Sequence, residues 1–114
     1  MHAVPPPNSA IAELASTLGE DSARELAEMF LTSFGAVLHD LQSADREERK
    51  RAAHSLKSSS RIVGAIDLST RMAELENRLT HTAADITPDD IKATLEDFER
   101  NAVGLRAYAQ QSGA

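Results

Sequence analysis

The sequence predicts an all-α fold, an antiparallel up-down four-helix bundle with a short extra N-terminal helix. Three observations predict it. Apolar residues recur at spacings of three and four along the chain and nowhere alternate as in a half-buried strand. Pro and Gly fall between these periodic segments, where breakers belong. Four segments run for 16 residues or more and are joined by short connections, as in helices that pack against their sequence neighbours.

The first helix is expected from about Ser9 to Leu18, with Ile11, Leu14, Ala15 and Leu18 on one face and Gly19 as its stop. The second runs from about Asp21 to Ser43, with a stripe of Ala23, Leu26, Ala27, Phe30, Phe34, Val37, Leu38 and Leu41. The third runs from Arg46 to about Val63. Asp45 stands where an N-cap belongs, and Glu48 three residues later can complete a capping box. The fourth, from about Ala65 to His81, carries Leu68, Met72, Leu75 and Leu79. The fifth opens at Thr87-Pro88, a cap followed by proline at the first helical position. Its stripe is Ile91, Leu95, Phe98, Ala102, Leu105 and Ala109. The bundle thus spans residues 9–112, and the Pro-rich residues 1–8 read as a stiff disordered leader or linker.

A length of 114 residues fits one domain. Cysteine is absent, which excludes a disulfide framework and thiolate chemistry. No apolar run approaches the roughly 20 residues of a membrane span, and the N-terminus lacks the basic and apolar regions of a signal peptide. The formal charge of −6 argues against general nucleic-acid binding. Residues Arg46 to Arg61 nevertheless carry +4, leaving −10 on the rest. One basic helix on an acidic body suits an anionic group or an acidic partner surface, although a charge run alone is ordinarily a solvated face.

The most informative stretch is Ala53 to Ala65. At roughly 100° per residue, Ala53, Leu56, Ser59, Ser60 and Val63 share the core face, and His54 points almost opposite. Lys50, Lys57 and Arg61 lie on the same outer side, at the −4, +3 and +7 positions from His54. Ser58, Ser59 and Ser60 keep the next turn small. Gly64 lowers helix propensity by up to about 1 kcal/mol relative to Ala, so it ends the helix or permits close packing. A surface histidine is ordinarily only that; these neighbours set His54 apart. Met29 and Ser33 lie off the core stripe of the second helix and are candidate partner contacts. His2 falls in the leader, His39 beside the Leu38/Leu41 stripe, and His81 at a helix end whose dipole suits a cation. None has metal-ligand spacing, so no bound metal is expected. No phosphate-cradling glycine loop or nucleotide motif is present, so the chain is expected to have no kinase activity of its own.

The run His54, Lys57, Ser58, Ser59, Ser60, Gly64, Ala65, continued by Leu68, resembles the histidine-containing phosphotransfer (HPt) domain of two-component phosphorelays. The Leu38/Leu41 helix end, the Asp45–Ala53 lead-in and Leu75-Glu76 are also similar to that family, and the likeness covers about residues 10–110. The position after Lys57 is often Gly in the family. Ser58 stands there, a small hydroxyl residue able to hydrogen-bond a phosphoryl oxygen.

The resemblance implies a phosphocarrier rather than an enzyme. His54 would accept a phosphoryl group, by family likeness on Nε2, from a receiver-domain phosphoaspartate and pass it on. Lys57 and Ser58 would stabilise the phosphoryl oxygens, with Lys50 and Arg61 as an outer field. Lys50, Arg61, Met29 and Ser33 would meet the partner, while Gly64 and Ala65 complete the structural motif. The implied partners are receiver domains of response regulators or hybrid histidine kinases. Mg²⁺ belongs to the receiver, so no cofactor is expected on this chain. The implied location is cytoplasmic, and helices with polar outer faces favour a monomer. Two other readings stay open. One is a non-catalytic module of the same fold that binds receiver or kinase domains without relaying. The other is a helical adaptor whose basic face holds an acidic peptide and for which His54 is dispensable.

Overall fold

A computed structural model describes residues 4–110 as five helices, with no strand among the described residues. They are α1 (Ser9–Leu18), α2 (Glu20–Asp40), α3 (Arg46–Ile62), α4 (Ile66–His81) and α5 (Pro88–Ala109). His2 and the ends of the expected leader and bundle, residues 1–3 and 111–112, lie outside the described residues. Each of the four long helices packs against two others: α2 against α3 and α5, and α4 against α3 and α5. The α3–α4 contact is the most extensive, and α1 lies on α2.

The core follows the apolar stripes. Leu68, Met72, Leu75 and Leu79 of α4 are all buried, as are Ala52, Ala53, Leu56 and Val63 from the α3 side. Phe98 of α5 stacks on Phe34 of α2 with ring centroids 3.7 Å apart, and Phe30 closes the cluster at 5.8 Å. Two stripe residues depart from expectation. Leu18 is 57% exposed because it ends α1, and Leu95 is 39% exposed. The buried face of α5 centres instead on Thr94, Asp97, Phe98, Leu105 and Tyr108, which turns Leu95 to the rim. The polar members of that face are satisfied, as buried polar groups must be. Thr94 donates to the Asp90 carbonyl at 2.7 Å, and the Tyr108 hydroxyl donates to Glu20 Oε2 at 2.7 Å. Asp97 accepts from Arg71 Nε at 2.6 Å and also pairs with Arg100.

Helix ends carry the rest of the local logic. Thr87 and Asp90 form a reciprocal capping box at the start of α5, behind Pro88. At α3 the Asp45 side chain accepts from the Glu47 N–H at 3.0 Å, but Glu48 does not complete the expected box. The Asp45 N–H is taken by Ser43 Oγ at 3.1 Å instead. Beyond Asp40, turn hydrogen bonds from Gln42 and Ser43 to the His39 and Asp40 carbonyls end α2 three residues before the expected stop. At the other end of α3, Gly64 takes φ 81° while its N–H bonds the Arg61 carbonyl and the Ala65 N–H bonds the Ser60 carbonyl. This Schellman closure needs a left-handed residue, hence glycine. Asn8 is tied into the same corner: its carboxamide accepts from the Ile11 N–H at 2.9 Å and donates to the Val63 carbonyl at 2.9 Å.

Candidate functional site

The short turn after α3 folds α4 back along it, which brings Glu76 opposite His54 and Lys57. Glu76 Oε2 stands 2.6 Å from His54 Nδ1, and Oε1 stands 2.5 Å from Lys57 Nζ. The imidazole remains 62% exposed, whereas Glu76 is only 21% exposed. The hydrogen bond from Lys57 holds the Glu76 carboxyl below its usual range; burial opposes this, and the contact with His54 reinforces it. Glu76 is therefore an ionised carboxylate, which only accepts hydrogen bonds. It follows that the proton of neutral His54 sits on Nδ1 and that Nε2 carries the lone pair. Nε2 makes no hydrogen bond among the described residues.

Lys57 is fixed at its backbone too, where its carbonyl accepts from Ser69 Oγ at 2.9 Å and Ser60 Oγ at 3.2 Å. Ser60 is buried and also bonds the Leu56 carbonyl, Ser59 is half-buried, and Ser58 is exposed with no side-chain hydrogen bond among the described residues. On the other flank of α3, an apolar groove of about 200 Å³ runs between α2 and α3. Leu26, Met29, Phe30, Ser33, Ile62 and Val63 are among its lining residues. Met29 and Ile62 rise from its edges, 63% and 51% exposed.

The Hpt domain family model matches residues 25–111. The chain belongs to the Hpt domain family. Hpt domains are phosphocarriers of two-component signalling and interact with receiver domains. Comparisons with curated proteins and with solved structures gave no match. Helix α1 and the first turn of α2 precede the matched span.

Most of the residues singled out in the sequence come together in this Hpt domain. His54, Lys57 and Ser58 share one exposed face of α3, and Met29 and Ser33 reach its α2 flank. Gly64 terminates α3, and Ala65 is fully buried behind it. Lys50 stands apart, with its ammonium 3.9 Å from Glu47. His39 is exposed on the last turn of α2. Glu76 emerges as a central member, although the sequence marked it only as family-like. Its spacing from Leu75 and Leu79 places it at the edge of the α4 stripe, but no local pattern says what it faces. Among the described residues there is no cluster of metal-ligating side chains, and no helix is long and apolar enough to cross a membrane.

Proposed function

We propose that this Hpt domain takes a phosphoryl group onto His54 Nε2 from the phosphoaspartate of one receiver domain and yields it to the aspartate of another. The observation that carries this reading is the Glu76 carboxylate, which holds the Nδ1 edge and leaves the Nε2 lone pair toward solvent. In the forward step that lone pair attacks phosphorus, the P–O bond to the donor carboxylate breaks, and its electron pair stays on the carboxylate oxygen. Nδ1 keeps its proton throughout. The positive charge that develops on the ring faces ionised Glu76, and the return step reverses these bonds.

Phosphoryl transfer of this kind asks the protein for positioning and charge rather than covalent chemistry. Lys57 is the cation for the phosphoryl oxygens, and the free Ser58 hydroxyl is a donor beside it. The groove carrying Met29 and Ser33 receives apolar partner surface, with Arg61 and Lys50 as outer charges. In this reading α2 to α5 form the antiparallel up-down bundle with α1 at one end. Mg²⁺ belongs to the receiver, and the chain works as a cytoplasmic monomer without catalytic turnover of its own.

The test is transfer of radiolabelled phosphoryl from a panel of phosphorylated receiver domains to the wild type and to His54→Gln. Acid-labile, base-stable label on the wild type and none on the variant is the expected result. Absence of label on the wild type across the panel would overturn the relay and leave a binding module.

A further inference from the structure

Six cations lie on or begin α3, and four of them are already engaged. Arg46 donates to the carbonyls of Leu79, Thr82 and Ala84, where α4 runs out. Arg49 holds both oxygens of Asp85 at 3.0 and 2.8 Å. Lys50 stands beside Glu47, and Lys57 bonds Glu76. Arg51 and Arg61 are exposed and have no carboxylate within 4.0 Å among the described residues. They lie three residues before and seven after His54, hence on its face, and about 15 Å apart along the axis at 1.5 Å per residue.

We infer that Arg51 and Arg61 form a two-point electrostatic clasp across His54 for a partner that carries carboxylates on both sides of its phosphoryl group. This rests on the phosphotransfer reading and deepens it, because it states what the receiver must present. Arg46 and Arg49, spent on loop carbonyls and on Asp85, have little left for an incoming surface, and Lys57 is kept for the phosphoryl group, whereas a free guanidinium gains a bidentate carboxylate at small cost. The acidic balance of the remaining chain leaves this face as the place where an acidic partner is attracted. The apolar groove lies on one flank of the clasp, so the fitting surface pairs an apolar ridge with an acidic margin and has one orientation. Lys50 stays an outer charge beside Glu47, and its neighbour Arg51 joins Arg61 as the second point of the clasp.

The experiment measures the second-order rate of transfer from a phosphorylated receiver that labels the wild type, across a range of salt concentrations. The proteins compared are the wild type, the double variant Arg51→Glu/Arg61→Glu, its two single variants, and Lys92→Glu on α5, a surface reversal equal in charge to either single variant. The clasp predicts a fall of about tenfold or more at low salt for the double variant, a flattened salt dependence, and neither effect in Lys92→Glu. Circular dichroism checks that the helices persist. A double variant with wild-type rate and salt dependence overturns the clasp and leaves the relay standing. A wild type that no receiver labels overturns both.

Discussion

The Asn8 carboxamide occupies the place where a β-carbon on Gly64 would stand. From there it caps the start of α1 and bonds the Val63 carbonyl just past α3, joining positions 55 residues apart. Gly64 is thus constrained twice, by a φ of 81° and by the side chain lodged against it. Gly64→Ala is expected to cost about 2–3 kcal/mol from left-handed strain and the displaced cap. Asn8→Ala should cost about 1–2 kcal/mol. Urea unfolding of both singles and the double reads the coupling, and the double should lose less than the sum because both changes break the same corner. Simple additivity would show that the two residues act independently.

Tyr108 is the sole tyrosine in a chain without tryptophan, so its ionisation is a clean optical probe. Burial, reinforced by its hydrogen bond to Glu20, pushes the phenol up to about 12. A raised acid pKa means that the fold favours the neutral form. Its stabilising contribution is complete below the ordinary phenol value of 10.0 and is lost as pH rises through about 12. The phenolate absorbance should therefore appear late and together with loss of helix. A midpoint at the ordinary phenol value with helices intact would contradict the buried bond.

Glu76→Gln keeps the shape at His54 and removes the charge. Nitrogen NMR of the wild-type imidazole should show the Nδ1–H tautomer, and the variant should show a mixture. Phosphoryl uptake should fall about tenfold, the size of one lost charge-assisted hydrogen bond. The lowered carboxyl of Glu76 adds stability that is complete above its ordinary range and is lost as pH falls through the lowered value. The acid limb of the variant's stability curve should accordingly be flatter than that of the wild type. Unchanged tautomers would exclude Glu76 as the positioning group.

Asp97 is 2% exposed and sits between Arg71 and Arg100, tying α4 to α5 from inside the core face. Asp97→Asn should destabilise the fold by about 2 kcal/mol, because Arg71 loses its charged acceptor in a half-buried position. Thermal melts of Asp97→Asn against the exposed control Glu96→Gln separate this from a general charge effect. Equal melting temperatures would remove the inward ion pair from the account of this interface.

The long helices were legible in the sequence because each carries a strong 3.6-residue stripe and a recognisable stop. The α4 stripe is buried residue for residue, and α1 keeps its expected ends. What escaped the pattern was polar and nonlocal. Thr94, Asp97 and Tyr108 sit in the core only because Asp90, Arg71 and Glu20 satisfy them across a turn or from another helix. Asn8 looked like the end of a leader because its partner, the Val63 carbonyl, is far away in sequence. At the site, His54 and Lys57 stood out from spacing on one helix. Glu76 and the freedom of Arg51 could not, since each depends on which side chains α4 and the loops have already claimed.

The carboxylate beside His54 has a consequence for traffic. With Nδ1 held, the ring offers a single edge, and whatever delivers a phosphoryl group must leave before anything can collect it. In the proposed relay two visitors cannot share the histidine, so the chain would work as a ferry rather than a bridge. Its throughput then depends as much on how promptly each visitor departs as on how tightly it lands. A tight-binding partner that lingers would stall the crossing for all the others.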